Sequence, residues 1–143
     1  FEATLQQKIA LAILMPVVAS MGGIAGTQTL IIVTRGIATG RVTTANIKSL
    51  INKEVAVSGL NGIIWSIVIA FVTYYWFNDV VLSVVIGLSI IVNLVVAAFS
   101  GAFLPLLLTK LKIDPALAGG VILTTITDVI GFVAFLGLAT LVI

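Results

Sequence analysis

The chain of 143 residues contains no cysteine and no histidine, and only 8% of its residues are charged. Without cysteine, disulfides, thiolate metal sites and cysteine nucleophiles are excluded within this sequence. Without histidine, imidazole metal ligands and Ser-His catalytic triads are excluded as well. A soluble globular domain carries about 25% charged residues. The scarcity of charge therefore points away from a soluble domain and towards a membrane.

Apolar residues make up 61% of the chain, and the mean hydropathy is +1.34. A helix that crosses a bilayer needs about 20 mostly apolar residues, and four stretches reach that length: 9–33, 55–77, 80–108 and 116–143. Membrane strands would instead alternate in polarity over about 10 residues, whereas IIWSIVIAFV (63–72) is apolar on every face. We predict an all-α, polytopic transmembrane bundle of four spans, forming one domain over 1–143. Because the sequence does not begin with methionine, we expect it to be a fragment of a longer protein.

Positive charge is concentrated in two of the three predicted connections. Lysine and arginine in short loops mark the cytoplasmic side of a membrane protein. Six of the seven cations lie in connections 34–54 and 109–115, namely Arg35, Arg41, Lys48, Lys53, Lys110 and Lys112. The connection around Asn78 has no cation and follows YYWF (74–77), whose aromatic rings suit the outer interface. We expect a multi-pass cell-membrane protein with loops 34–54 and 109–115 in the cytoplasm and both chain ends outside.

Local signals refine the two cationic connections. In ANIKSLINKEV (45–55) the apolar residues share one helical face and the lysines lie off it, which predicts a cytoplasmic interfacial helix leading into the second span. Thr43 or Thr44 could cap its first turn. Asp114 and Pro115 predict the N-cap and first position of the last helix, since proline lacks only an amide that would be unsatisfied there.

One carboxylate lies inside a predicted span. Asp128 follows Asp114 by 14 residues, about 20 Å along a helix, and therefore lies within the roughly 30 Å of hydrocarbon. Intramembrane acids are costly and face a cavity or bundle interior. Thr124, Thr125 and Thr127 add oxygen atoms beside it, and such oxygens suit a hydrated cation. The alternative is a protonated carboxyl group hydrogen-bonded to a neighbouring helix.

The first predicted span is interrupted by small and polar residues in MPVVASMGGIAGTQTL (15–30). Gly22 and Gly26 form a small-xxx-small face that lets helices pack closely. The alternative is a locally irregular backbone whose carbonyl groups face a pore, which is tolerated at membrane depth only where protein or water covers it. In the third span, Asn93 either lines the same path or makes an interhelical hydrogen bond.

Three segments resemble the MgtE family of magnesium channels: PVVASMGGIAGTQTLIIVTRGIATG (16–40), NLVVAAFSGAFLPLLL (93–108) and IDPALAGGVILTTITDVIGF (113–132). The resemblance covers essentially the whole chain. It implies spans two to five of a five-span subunit that forms a homodimer around a central pore. It also implies cytoplasmic N-terminal and CBS domains, absent from this sequence, that sense magnesium and gate the channel.

The resemblance also implies roles for individual residues. Asp128 matches the pore aspartate that holds hydrated Mg²⁺, and Thr124 matches the position one turn earlier whose carbonyl contributes. The full predicted pore lining is Gly22, Gly23, Gly26, Thr27, Gln28, Asn93 and Gly120. Two positions depart from the family pattern, because Ile24 replaces an asparagine and Val121 replaces a proline.

These observations together predict a channel that moves hydrated Mg²⁺ into the cytoplasm, with Mn²⁺ or Co²⁺ as other candidate cargo. Its predicted partners are the lipid bilayer and a second copy of the chain, and no nucleic acid. We predict no enzymatic activity, because an intramembrane aspartyl protease would need two aspartates in separate spans, and Asp79 and Asp114 lie in loops. The functional alternative is a proton-coupled secondary cation transporter that uses Asp128 as its proton or ion site.

Overall fold

The computed structural model describes residues 9–41, 45–78 and 80–142. They form four long helices: α1 (Ile9–Ala38), α2 (Ile47–Phe77), α3 (Val80–Lys110) and α4 (Pro115–Val142). Each helix contains a segment that is long and apolar enough to cross a membrane, and the described part of the chain contains no β-strand. The predicted all-α architecture with four spans is confirmed.

The helix ends follow local rules. Helix α2 ends at Asn78, whose φ of 50° is left-handed and whose amide donates to the Tyr74 carbonyl oxygen at 2.8 Å. Asparagine is one of the few residues besides glycine that adopt this conformation readily. Helix α4 begins at Pro115, as predicted. The predicted caps Thr43 and Thr44 lie outside the described residues, and Asn46 stands at the N-cap of α2 without a side-chain capping hydrogen bond.

The structure decides between the two alternatives for α1 and revises one helix boundary in α2. Helix α1 runs without interruption through Gly22–Gly26, so the glycines create no irregular backbone. A continuous helix satisfies its own amides and carbonyls, which the hydrocarbon requires. Segment 45–55 is helical from Ile47, as predicted, but it forms one helix with the second span, because α2 is continuous from Ile47 to Phe77. The helices therefore extend into both cationic connections and shorten them to 39–46 and 111–114.

Helix α3 is the centre of the bundle. It packs against all three other helices, whereas α1 packs mainly against α3 and α4, and α2 packs mainly against α3. Residues such as Ile86, Ile90 and Ala97 of α3 are completely buried. A helix surrounded in this way is apolar on most of its circumference, as the sequence of α3 is. The outer faces of α1, α2 and α4 are left for lipid or for another subunit.

Buried side chains form two apolar clusters with a layer of small and polar residues between them. The larger cluster lies at the end of the bundle away from the cationic connections and contains Leu14, Val18, Leu82, Val85, Ile86, Ile90, Leu94, Phe135, Leu136 and Ala139. The smaller one lies towards those connections and contains Leu30, Leu104 and Leu123. Gly22, Asn93 and Thr127 are buried in the layer between them. This middle layer is where the helix backbones approach one another.

Gly101 allows α3 to lie directly against α1. A Cβ atom added at Gly101 would lie 2.6 Å from the Gly26 carbonyl oxygen and 3.0 Å from Thr29 Cβ. The first neighbour is backbone and cannot turn aside. Close backbone approach at small residues is a principal source of helix association in membranes.

We expect Gly101→Ala to lower the thermal unfolding midpoint in detergent, because overpacking a tight contact costs about 1–3 kcal/mol. The matched control is Gly59→Ala, since a Cβ atom there has no neighbour within 4 Å. That control should be neutral or slightly stabilising, because alanine is preferred to glycine within a helix. Equal midpoints for the two variants would contradict the close packing of α1 and α3.

Candidate cation site

Helix α4 turns one face towards the bundle. Six of its buried residues recur at every fourth position: Gly119, Leu123, Thr127, Gly131, Phe135 and Ala139. Residues four apart are neighbours on the helix surface, so these positions form a continuous row that inclines around the helix. Thr124 and Asp128 each follow a buried residue by one position, so they project about 100° around the helix from it. Thr124 is exposed and Asp128 is partly exposed, which places the carboxylate at the edge of the packed face.

The threonines beside Asp128 are hydrogen-bonded to the backbone of α4. Thr127 Oγ1 donates to the Thr124 carbonyl oxygen at 3.1 Å, and Thr125 Oγ1 donates to the Val121 carbonyl oxygen at 2.8 Å. The Thr124 carbonyl therefore accepts a side-chain bond in addition to its bond within the helix, which uses both of its lone pairs. The exposed Thr124 hydroxyl is the more available oxygen at that position.

Helix α1 meets α4 beside Asp128. A Cβ atom added at Gly23 would have one neighbour within 4 Å, Thr127 Oγ1 at 3.8 Å. Thr27, one turn further along α1, is partly exposed. On α4, Gly120 lies one turn before Thr124, and a Cβ atom there would meet open space. We call the surface formed by Gly23, Thr27, Gly120, Thr124 and Asp128 the seam surface.

Gly22 and Gly26 face the interior instead of the seam surface. A Cβ atom at Gly22 would overlap Asn93 Nδ2, and one at Gly26 would lie 3.0 Å from Leu123 Cδ2. Their small size lets α1 pack against α3 and α4, in agreement with the small-xxx-small interpretation.

Asn93 ties three helices together. Its side chain is completely buried, and Nδ2 donates to the Val18 carbonyl oxygen of α1 at 2.9 Å. A Cβ atom at Gly131 of α4 would lie 2.9 Å from the same nitrogen. The structure thus gives Asn93 the interhelical hydrogen bond that the sequence offered as one of two roles, and it places the side chain away from the seam surface.

Gln28 lies on a different side of α1. It is exposed and lines a crevice of about 120 Å³ between α1 and α2, together with Glu54 and Asn61. Thr29 Oγ1 donates to Glu54 Oε2 across this crevice at 3.4 Å. Glu54 is a half-buried carboxylate that was not among the predicted site residues, since it precedes the predicted start of the second span at Val55.

The described residues contain no cluster of three or more acidic, histidine or cysteine side chains that could hold a metal ion. They also provide no ion pair for Asp128. One subunit therefore offers a cation a single carboxylate at the seam surface. Such a site suits a cation that keeps most of its water or that is shared with a second subunit.

Comparison with known proteins gives a consistent match. A family model described as "Divalent cation transporter", MgtE, matches residues 15–138. The chain is 37% identical over 140 residues to the magnesium transporter MgtE of Bacillus subtilis, covering 98% of this chain and 31% of that protein. It is 32% identical over 143 residues to MgtE of Thermus thermophilus, covering 100% of this chain and 32% of that protein. This chain spans about a third of the length of these curated relatives.

Proposed function

Because this chain belongs to the MgtE family of divalent cation transporters, we propose that its four helices form the transmembrane pathway for Mg²⁺ and that Asp128 is where the pathway meets the ion. The family consists of transporters and not of enzymes, and the four apolar helices make the chain a multi-pass membrane domain. The proposed role of Asp128 is supported by its partly exposed carboxylate, which lies beside the glycine-lined edge of α1. Intramembrane carboxylates of this kind mark ion pathways.

The chemistry of Mg²⁺ fits a site with so few protein ligands. Mg²⁺ demands octahedral oxygen coordination and dehydrates reluctantly, so it is usually bound through several retained waters. We propose that the Asp128 carboxylate accepts hydrogen bonds from those waters and that the Thr124 hydroxyl assists. In a homodimer, two copies of Asp128 would balance the two charges of one ion. Mn²⁺ and Co²⁺ are the competing cargo to be tested.

A membrane potential that is negative inside would drive a dication inward with about 4.6 kcal/mol per 100 mV for its two charges. Regulation would come from outside this chain, since the relatives are about three times as long. We propose that cytoplasmic N-terminal and CBS domains control the pathway.

Mg²⁺ uptake into liposomes that contain the full-length protein tests this function against proton coupling. We expect uptake to follow the Mg²⁺ gradient and the membrane potential, and to be the same with and without a pH gradient. Accumulation of Mg²⁺ driven by a pH gradient alone would contradict the channel and support the proton-coupled alternative, in which Asp128 is titrated during transport.

The orientation proposed from the six clustered cations predicts a labelling pattern. The sequence has no cysteine, so a single introduced cysteine reports its own location. Lys48→Cys should react only with reagents that reach the cytoplasm, and Val80→Cys, at the exposed start of α3, only from outside. Val80 is a better position than Asn78, whose left-handed backbone disfavours cysteine. The reverse pattern would overturn the orientation.

A further inference from the structure

A cavity of about 640 Å³ opens between the end of α1 and the start of α2. Three cations line it: Arg35 in the last turn of α1, Arg41 just after that helix, and Lys53 on α2. Its remaining walls combine polar and apolar residues, namely Ile32, Gly36, Thr39, Asn46, Ser49 and Leu50. The cavity therefore joins a cationic rim to an apolar wall at one end of the bundle.

Hydrogen bonds of the turn hold the backbone that carries Arg35 and Arg41. Thr39 Oγ1 donates to the Arg35 carbonyl oxygen at 3.0 Å and continues the last turn of α1. Gly40 then reverses the chain with a φ of 76°, a left-handed value that glycine adopts without strain. Asn46 Nδ2 donates to the Arg41 carbonyl oxygen at 2.6 Å and fastens the turn to the start of α2. These contacts keep Arg41 in the wall of the cavity.

The positive charge in the cavity is not offset by acid. No carboxylate is among the described residues that line it, and Glu54, the neighbour of Lys53, lies in the separate crevice with Thr29. A concave site lined by one sign of charge concentrates the opposite charge. The orientation rule requires cations on one side of the membrane but does not require three of them around one cavity. Lys48, Lys110 and Lys112 also lie on the cationic side, but they do not line the cavity.

We propose that this cavity binds the phosphate group of an anionic phospholipid from the adjacent leaflet. Basic pockets between transmembrane helices on the cytoplasmic side, where we propose these connections lie, bind lipid headgroups. The planar guanidinium group of arginine matches the geometry of phosphate oxygens. Ile32, which is 53% exposed, continues the cavity wall along the apolar surface of α1. That wall suits a headgroup attached to acyl chains better than a free anion.

The bound lipid would link two elements that scarcely contact each other. Helices α1 and α2 both pack on α3 and hardly on one another. A phosphate held by Arg35 and Arg41 on one side and Lys53 on the other joins the end of α1 to the start of α2. The lipid would therefore stabilise the bundle at the C-terminal end of α1, beyond the part of α1 that forms the seam surface.

The test compares two triple variants of the full-length protein that lose the same charge. The first, Arg35→Gln/Arg41→Gln/Lys53→Gln, removes the cavity cations, and the control, Lys48→Gln/Lys110→Gln/Lys112→Gln, removes three others from the same side. Thermal stability in detergent is titrated with phosphatidylglycerol, phosphatidylcholine or inorganic phosphate, and native mass spectrometry counts retained lipid. One cation near the surface contributes about fivefold to binding of anionic lipid. We expect the phosphatidylglycerol concentration that gives half of the maximal stabilisation to be at least about tenfold higher for the cavity variant than for the control.

Each of the following outcomes would overturn the proposal. Equal weakening in both triple variants would show diffuse attraction to the whole cationic side. Stabilisation by inorganic phosphate equal to that by phosphatidylglycerol would show a free-anion site. No response of the wild-type protein to phosphatidylglycerol would show that no such lipid binds. If the cavity variant does not fold, Arg41→Gln alone, in an exposed turn, should weaken binding about fivefold, and unchanged binding in that variant would overturn the proposal.

Discussion

Asp128→Asn should remove most Mg²⁺ uptake by the full-length protein in proteoliposomes while the protein remains folded. Asparagine keeps the size of aspartate but removes one charge from each subunit. A unit charge pair 4 Å apart is worth about 4 kcal/mol at an effective dielectric constant of 20, so losing even part of this attraction predicts a fall in uptake of roughly tenfold or more. Stability should hold or rise, because the cost of placing a carboxylate in the membrane disappears.

Glu54→Gln is the matched control for this experiment. Glu54 is also a partly buried helical carboxylate, but it lies in the crevice between α1 and α2, away from the seam surface. Its neutralisation should leave uptake within about twofold of wild type, because Glu54 lies across α1 from the seam surface and the attraction between charges falls with distance. Wild-type uptake by Asp128→Asn would show that Asp128 is a neutral structural group. A loss of stability in Asp128→Asn would show instead that its charge is paired in the fold.

Gly23→Leu should block permeation without unfolding the bundle. A Cβ atom at Gly23 meets only Thr127 Oγ1, at an ordinary contact distance of 3.8 Å, so a larger side chain can leave the helix there and occupy the seam surface. Leucine also favours a helix over glycine by up to about 1 kcal/mol. We expect a thermal midpoint close to wild type and a loss of Mg²⁺ uptake of about tenfold or more, as expected for an apolar constriction in an ion path.

The neighbouring variant Gly22→Leu separates blocking from misfolding. A side chain at Gly22 would overlap Asn93 in the completely buried middle layer. We therefore expect Gly22→Leu to be recovered poorly or to unfold at a much lower temperature. Normal uptake by folded Gly23→Leu would place the ion pathway away from the seam surface.

The spans could be predicted from the sequence because they depend on local properties. The length of the apolar runs predicted four helices, and Pro115 marked the start of α4. The partner of each helical face could not be predicted in the same way. Thr27 and Gln28 are adjacent in sequence, yet one lies at the seam surface and the other in the crevice with Glu54. About 100° of helical rotation separates them, and only tertiary packing decides what each direction meets.

The glycines of α1 allowed two interpretations from the sequence, and only tertiary packing decides between them. Gly22, Gly23 and Gly26 suggested a break, because glycine weakens helices in water. In hydrocarbon a break would leave backbone groups unsatisfied, and the contacts of Gly22 with Asn93 and of Gly26 with Leu123 stabilise the continuous helix. In the same way, the sequence predicted a boundary at Val55 between helix 45–55 and the second span, whereas α2 is continuous and places Glu54 within one long helix.

Cross-linking at Asp128 tests the proposal that two copies of this residue face one ion. In an otherwise cysteine-free full-length protein, Asp128→Cys is treated in membranes with a bifunctional thiol reagent long enough to span a hydrated Mg²⁺. Val129→Cys, at an exposed position 100° further around α4, is the matched control. We expect a covalent dimer for Asp128→Cys and none for Val129→Cys. A dimer formed only by Val129→Cys would contradict the shared site, because the two carboxylates would then lie on the wrong face of α4 to share an ion.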